Sequence, residues 1–479
     1  MKLKTVAAEG WLNRQDSLVV REGVFFPLSK ICTEKINWYA NGGVREILEA
    51  DGDRLKKDLG LRVSPITVKR AKGELVVRIS NVTGSLFLLS RSIEIVPKFI
   101  SASNEKYWSD ILLEILARSR HKRYRYIETN GLLDRGLNFI DHVALAYVTL
   151  LERAIDQDKI RTYRSAEEEL PVVRGSFLFQ KTIINSLSRP HRYICNVDYL
   201  DENNQYNQLL GWALLQFQSS VFDPTIKQRL NLLEDSFVEP HTEYEIPNRL
   251  PLTAPSQYRH YEEPLEIASN LALGNNHSIN GGKSSSYGYV INTEVIYEKF
   301  IEESLKIAVH ILARNYNISV SAQDSMLYAE AITTKDRSYY TRPDNVIYQD
   351  DTPLILIDAK YKNFTDSETG SSKRPQNNDV YQLVASLVSY DCNIGVLLYP
   401  GMGGSESNGK NAFHIWKIGG GSDIRVVIGV SLNFSYMQDK KNLFKIDENL
   451  SNLVEVLMNY SLNLDSLNVL QCKMEEVWK

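Results

Sequence analysis

Cysteine is scarce in this chain. Four occur among 479 residues, at Cys32, Cys195, Cys392 and Cys472. None is spaced from another as a zinc or redox pair requires, so free thiols in a reducing compartment are expected. Long apolar runs are also missing: nothing approaches the ~20 consecutive apolar residues of a membrane span. The start, Met1-Lys2-Leu3-Lys4-Thr5, leads into no apolar core such as a secretory signal carries. A cytoplasmic protein with no membrane contact is the expectation. Charge of one sign is missing too. The net charge is −4, so any nucleic-acid surface must be local rather than global.

Several chemistries lack their motifs. The eight histidines include no i, i+4 pair with glutamate, which leaves a zinc protease unsupported. A lone one such as His310 fits helix packing. No Gly-x-Ser-x-Gly elbow is present. Gly282-Lys283-Ser284 ends like a phosphate-binding loop, but His277 stands where its first glycine belongs. Gly404 and Gly409-Lys410 have the spacing, yet Asn411 replaces the magnesium-binding hydroxyl. Ala412-Phe413-His414-Ile415-Trp416 then reads as strand where the loop needs a helix. Nucleotide hydrolysis by this chain is not expected.

What is present is a globular composition, 43% hydrophobic, in a chain long enough for two or three domains. The pattern is α+β and multidomain. Residues 1–102 form a β-rich, barrel-like or sandwich domain. Its strands are Ser17–Val20, Glu74–Ile79, Ser85–Leu89 and Ser92–Val96, punctuated by Gly23, Gly73 and Gly84. A helix over Val44–Asp58 interrupts them, and Leu59–Lys72 reads as an excursion from the sheet. Residues 103–285 are mainly helical, with helices at Tyr107–Arg118, Phe139–Asp156 and Asn204–Ser220 and an irregular connection over Pro240–Pro264. The polar, glycine-rich tract Gly274–Ser286, within 270–288, reads as a linker. The last domain, 289–479, opens with a helix over Asn292–Leu312. A β-hairpin, a loop over Asn363–Asn378, a helix over Asp379–Tyr390 and a strand over Ile394–Tyr399 follow. That order suits a small mixed sheet flanked by helices.

The hairpin carries the chemistry. One limb is Asp344-Asn345-Val346-Ile347-Tyr348, after Arg342-Pro343. The turn is Gln349–Pro353. The other limb, Leu354-Ile355-Leu356-Ile357, is aliphatic and stops at Asp358-Ala359-Lys360. Alternation puts Asp358 and Lys360 on one face. Folding symmetrically about Asp351 sets Asp344 opposite Asp358, with Cβ atoms about 4.5–5.5 Å apart. Like charges so opposed are destabilising unless a cation lies between them. Hard oxygen ligands suit Mg2+ or Mn2+, and Lys360 would orient or deprotonate a water beside the ion. Such a set suits phosphodiester cleavage. A solvated hairpin with a cross-strand Asp/Lys pair is the plain alternative.

Other residues extend the site. Glu298, on the opening helix, reads either as a third carboxylate or as a surface glutamate beside Glu294, Glu302 and Glu303. Gln382 starts the helix after the hairpin, where it would hold phosphate or water. The densest positive cluster contains Arg118, Arg120, Lys122, Arg123 and Arg125, interleaved with Tyr124 and Tyr126. It suits a phosphate backbone and equally a solvated loop.

Tyr297-Glu298-Lys299-Phe300, Arg342-Pro343-Asp344, Ile357-Asp358-Ala359-Lys360-Tyr361-Lys362, Tyr381-Gln382 and Val396–Pro400 together resemble the PD-(D/E)xK nucleases, and more closely the McrC family. Weaker likenesses lie upstream at Ile95–Lys98, Leu170–Gly175 and Asn204–Leu210, so most of the chain is covered. The resemblance implies a C-terminal restriction-endonuclease-like α/β domain. It implies catalytic roles for Asp344, Asp358, Lys360, Glu298 and Gln382. Metal would be held by Asp344, Asp358, Glu298 and the Ala359 carbonyl, and DNA contacted by the basic cluster and Lys362. It also implies a Mg2+-dependent DNA endonuclease subunit whose N-terminal part docks on, and stimulates, a hexameric McrB-like AAA+ GTPase. RecB-like nucleases often carry a tyrosine four residues after the glutamine, where this chain has Ser386. A non-cleaving activator of an AAA+ motor and a stand-alone RecB-like repair nuclease are the alternatives.

Overall fold

A computed structural model describes residues 18–31, 43–88, 91–100, 108–120, 137–237, 247, 250–274, 289–332, 338–362, 374–401, 412–419, 424–434, 444–463 and 467–477. Its chain contacts separate two units, residues 1–139 with 290–479, and residues 140–289. The segments 1–102 and 290–479 therefore share one unit. The tract Gly274–Ser286 falls almost wholly outside the described residues, as does most of Asn363–Asn378.

The N-terminal part of the first unit runs β1 (Leu18–Arg21), β2 (Phe25–Pro27), α1 (Gly43–Asp58), β3 (Ile66–Ala71), β4 (Glu74–Ile79), β5 (Val82–Leu88), β6 (Arg91–Val96) and α2 (Trp108–Ser119). The second unit runs α3 (Phe139–Ile155), β7 (Thr162–Leu170), β8 (Ser176–Phe177), α4 (Phe179–Ser186), β9 (Tyr193–Asp201), α5 (Gln205–Ser220), α6 (Pro224–Phe237) and α7 (Glu262–Gly274). The first unit then resumes with β10 (Tyr289–Asn292), α8 (Thr293–Leu312), β11 (Ile318–Ala322), β12 (Met326–Ala329), β13 (Tyr339–Thr341), β14 (Asn345–Gln349) and β15 (Thr352–Ala359). After these come α9 (Asn377–Ser389), β16 (Ile394–Gly401), β17 (Ala412–Ile418), β18 (Arg425–Asn433), α10 (Phe444–Asn463) and α11 (Leu467–Val477). No helix among the described residues is long and apolar enough to cross a membrane.

The N-terminal strands do not close into a barrel among the described residues. They form two open sheets, β1-β6-β5-β10 and β2-β4-β3. Gly23, at φ +81°, turns the chain from the first sheet into the second, and Asn81, at φ +62°, turns it back. Left-handed residues of this kind break a strand sharply. Leu18, Val20, Ile93 and Ile95 of one sheet share a core with Phe26, Val68, Val77 and Ile79 of the other. Two expectations change here. The segment after Leu59 is no excursion, because Ile66–Ala71 pairs with Glu74–Ile79 across a Lys72-Gly73 turn. Gly84 lies inside β5 rather than between strands.

The second unit carries a three-stranded sheet, β7-β9-β8, within a region expected to be mainly helical. Its β7 reads Thr-Tyr-Arg-Ser-Ala-Glu-Glu-Glu-Leu, too polar to show an apolar alternation. Asn204 caps α5, accepting from the Tyr206 and Asn207 amides, each at 3.1 Å. Its own amide donates to the Ile160 carbonyl at 3.0 Å.

The sheet that positions the site has the order β11-β14-β15-β16-β18-β17. Strands β15, β16 and β18 run parallel, and both flanks are antiparallel. Val346, Leu356, Leu397, Tyr399 and Val427 pack against Leu383 and Leu387 of α9 and against Tyr390 just past its end. The α9 helix sits close because Gly395 offers bare backbone. A Cβ there would meet Leu383 Cδ2 at 2.8 Å and Leu387 Cδ1 at 3.1 Å.

Two stability predictions follow from this packing. Gly395→Ala is expected to cost about 1–3 kcal/mol through overpacking beneath α9, read by chemical denaturation. Asn204→Ala is expected to cost about 1 kcal/mol by uncapping α5, read the same way.

Candidate functional site

The hairpin turns through Asp350 and Asp351, at φ +46° and +64°, a two-residue connection between Gln349 and Thr352. It is shorter than the expected Gln349–Pro353 turn, and Pro353 lies within β15 opposite Tyr348. A two-residue loop with unbroken pairing would set Asp344 opposite Ile357, not Asp358. The register shift between Ile347 and Tyr348 leaves Leu354 as an extra residue. Beyond it the pairs are Ile347↔Ile355, Val346↔Leu356 and Asn345↔Ile357. One step further brings Asp344 level with Asp358, as the symmetric hairpin requires. Both continue the parity of Val346 and Leu356, which face α9.

Asp344 is held from two sides. Its Oδ2 accepts the Ala359 amide at 2.8 Å, and its Oδ1 accepts the Gln323 side chain at 3.1 Å. Burial pushes its pKa up, and the charges of Asp358 and Glu298 push it further, against the opposing Ala359 amide. Asp358 is only 3% exposed. Its Oδ2 lies 2.5 Å from Lys360 Nζ, but the approach is off line, so that oxygen accepts no well-directed hydrogen bond. Lys360 Nζ donates to Gln382 Oε1 at 3.1 Å. Burial pulls the Lys360 ammonium down, yet Asp358, Asp344 and Asp379 outweigh it and leave its pKa raised. At neutral pH this lysine is therefore a cation.

Glu298 approaches from α8, and its carboxyl is pushed up to about 7. Burial is the main cause, Glu294 and Asp358 add to it, and Arg62 and Lys360 oppose it. The structure thus brings Asp344, Asp358, Lys360, Gln382 and Glu298 into one electrostatic neighbourhood. No group of three or more His, Cys, Asp or Glu side chains among the described residues forms a metal cage on its own.

The remaining basic residues are placed differently. Arg118 Nη1 meets both carboxylate oxygens of Asp447 at 2.7 Å, so it ties α2 to α10 instead of facing solvent. Arg120 is exposed, 3.9 Å from Glu303. Lys122, Arg123 and Arg125 lie outside the described residues. Lys362 Nζ donates to Asp379 Oδ1 at 2.7 Å and to Gln376 at 3.2 Å. Ser386 is buried, bonded to the Thr341 hydroxyl and, at 3.1 Å, to the Gln382 carbonyl. It fastens the glutamine helix to β13.

Sequence reading missed three neighbours of the site. Gln323 follows β11 at φ +57° and carries no motif. Arg62 lies in the connection after α1. Asp379 is buried in the first turn of α9, one helical turn before Gln382, and that i, i+3 spacing was its available signal.

Comparisons with known proteins bear on the fold and the family. No curated protein sequence matches. A refined half-complex from a tetradecameric assembly of Thermococcus gammatolerans McrB AAA+ hexamers with bound McrC has a chain similar in fold. Its TM-score is 0.56 at 14% identity, covering 92% of this chain and 99% of that one. The cryo-EM structure of the T. gammatolerans McrBC complex aligns with a TM-score of 0.40 at 15% identity, over 61% of this chain and 88% of that one. The model of the McrBC 5-methylcytosine restriction system component family matches residues 77–400. The chain belongs to that family, as a McrC-type subunit of a restriction system.

Proposed function

We propose that this chain is the DNA-cutting subunit of its restriction system, a Mg2+-dependent endodeoxyribonuclease of the PD-(D/E)xK type. The observation that carries the reading is the opposition of Asp344 and Asp358 at the buried end of two strands, with the Lys360 ammonium held between Asp358 and Gln382. Two carboxylates on one face, one with an oxygen lacking a directed hydrogen bond, form a donor set for a hard divalent cation. Magnesium is commonly bound by one or two protein carboxylates, with waters and substrate phosphate completing its shell. A pair without a third tight side chain fits that habit. Asp344, Asp358 and the Ala359 carbonyl would hold the ion, Mg2+ or Mn2+, with Glu298 as an outer carboxylate.

When bound, the ion supplies charge stabilisation at the phosphate and an acidified water. The chain's own residues do the rest. Lys360, held between Asp358 and Gln382, would orient the attacking water or take its proton. Gln382 keeps that ammonium aimed along the α9 face. The Ala359 amide and Gln323 hold Asp344 in one orientation. Exposed Arg120 is one contact for the DNA backbone, with Lys122, Arg123 and Arg125 next to it in sequence.

The partner is read from the family and the neighbouring fold. In the T. gammatolerans assembly, McrC is bound to McrB AAA+ hexamers. A McrB-like AAA+ GTPase is the partner proposed here. It would supply the nucleotide hydrolysis for which this chain has no phosphate-binding loop.

Plasmid cleavage with Mg2+, with and without such a partner, tests the reading. Asp358→Ala and Lys360→Ala should each lower the rate roughly 100- to 1000-fold, the range for removing one transition-state stabiliser, while co-purification with the motor persists. Cutting by the Asp358→Ala protein at the wild-type rate rejects the assignment. Wild-type protein that cuts DNA ends without any partner would favour the stand-alone repair nuclease.

Charge balance adds a second test. Asp344 and Glu298 have raised pKa values in the folded protein, so they keep protons that the unfolded chain has already released. The stability they contribute is complete below the ordinary carboxylate range and is lost as pH rises through the folded values, about 7 for Glu298. In EDTA, the thermal midpoint should fall from about pH 5 to about pH 8. Added Mg2+ should restore it at the upper pH and do little at the lower. Glu298→Gln should flatten the metal-free fall. A Mg2+ response equal at both pH values contradicts the charge-balance account.

A further inference from the structure

Lys360 lies one residue beyond the end of β15, where strand pairing no longer holds the chain on both sides. Its own amide reaches the Leu398 carbonyl at 2.8 Å. The next residue, Tyr361, points away from the α9 face by strand alternation and is buried against Tyr297, Phe99 and the N-terminal sheet. There it meets two charged residues. Its hydroxyl donates to Glu22, and its carbonyl accepts from Lys98 Nζ at 2.7 Å. The same ammonium sits 3.6 Å from the centre of the tyrosine ring.

Glu22 and Lys98 are side by side because β1 and β6 are parallel neighbours with Arg21 paired to Val96. Each residue emerges just past its strand end. Glu22 is 2% exposed, and its carboxylate also accepts the Asn81 amide at 2.7 Å and the Lys98 amide at 3.3 Å. The start of α8, which carries Glu298, is pinned by the same turn: the Thr293 amide donates to the Asn81 carbonyl at 3.1 Å. Burying two ionisable side chains is a poor source of net stability compared with apolar packing. Glu22 and Lys98 instead fix both ends of a single residue, the one following Lys360.

We propose that Glu22 and Lys98 of the N-terminal sheet are positioning residues that set the Lys360 ammonium through the Tyr361 hydroxyl and carbonyl. The proposal rests on the nuclease reading for its effect on cutting, though not for its effect on Lys360 itself. Neither residue touches substrate. They hold the peptide after the lysine, and a misplacement of about 1 Å at a reacting group costs on the order of 100-fold in rate.

The test uses the full chain assembled with its AAA+ partner and carrying Tyr361→Phe, Lys98→Met or Lys98→Arg. Single-turnover plasmid cleavage at saturating DNA should slow about 10- to 100-fold in Tyr361→Phe and Lys98→Met, with DNA affinity unchanged. Lys98→Arg keeps a cationic donor and should recover most of the rate. Independently of cleavage, the amine of Lys360 is labelled with a water-soluble acylating reagent and quantified by mass spectrometry. Exposed Lys227 of the other unit serves as the reference. Labelling of Lys360 relative to Lys227 should rise several-fold in Tyr361→Phe and Lys98→Met. Unchanged labelling in both variants overturns the proposal, whatever happens to the rate. Wild-type protein that does not cut DNA removes the nuclease reading alone, because the labelling comparison still decides the positioning role.

Discussion

Opposition of two carboxylates on one face of a buried hairpin is the constraint around which the first unit is built. Asp344 and Asp358 sit where like charges repel most strongly, at the end of strands that exclude water. Each surrounding contact relieves that conflict or holds it in place. The Ala359 amide and Gln323 steady one carboxylate, Lys360 pairs with the other, and the raised pKa values at Asp344 and Glu298 record burial first and the remaining repulsion second. Keeping such a pair buried costs the fold stability.

The register that creates the opposition depends on one extra residue. A type I′ turn through Asp350 and Asp351 alone would put Asp344 opposite Ile357. The bulge at Leu354 restores it to Asp358. Because side chains alternate, a slip of one residue moves a whole strand's side chains to the other face. The two aspartates would then point to opposite sides of the sheet. The bulge thus sets the face that the two aspartates share, as bulges can re-aim side chains.

The N-terminal sheets and the site-bearing sheet also depend on each other. β10, the strand just before α8, belongs to the N-terminal sheet beside β5. The buried Glu22–Lys98–Tyr361 contact joins that sheet to the end of β15. Residues at opposite ends of the sequence are therefore parts of one mechanical unit. A change in the N-terminal strands reaches the lysine through two hydrogen bonds.

Much of this was legible in the sequence. The helices over Thr293–Leu312 and Asn377–Ser389, the hairpin limbs and the strand at Ile394 follow from apolar periodicity and polar breaks. The pairing of Asp344 with Asp358 followed from symmetry about Asp351, although the bulge that makes it true carries no signal. Charge-rich β7 was hidden because its residues are half-exposed and show no alternation. The barrel became two open sheets because single left-handed residues at Gly23 and Asn81 redirect the chain.

By itself, the sequence determined the local elements and the acid-acid-lysine set, since those depend on neighbours a few residues apart. Only the tertiary structure decided that Arg118 pairs with Asp447 and Lys362 with Asp379. The same holds for Gln323 against Asp344 and for Glu22 beneath Tyr361. Such contacts join residues far apart in the chain. Packing of separate elements selects them, and no local pattern in the sequence encodes that packing.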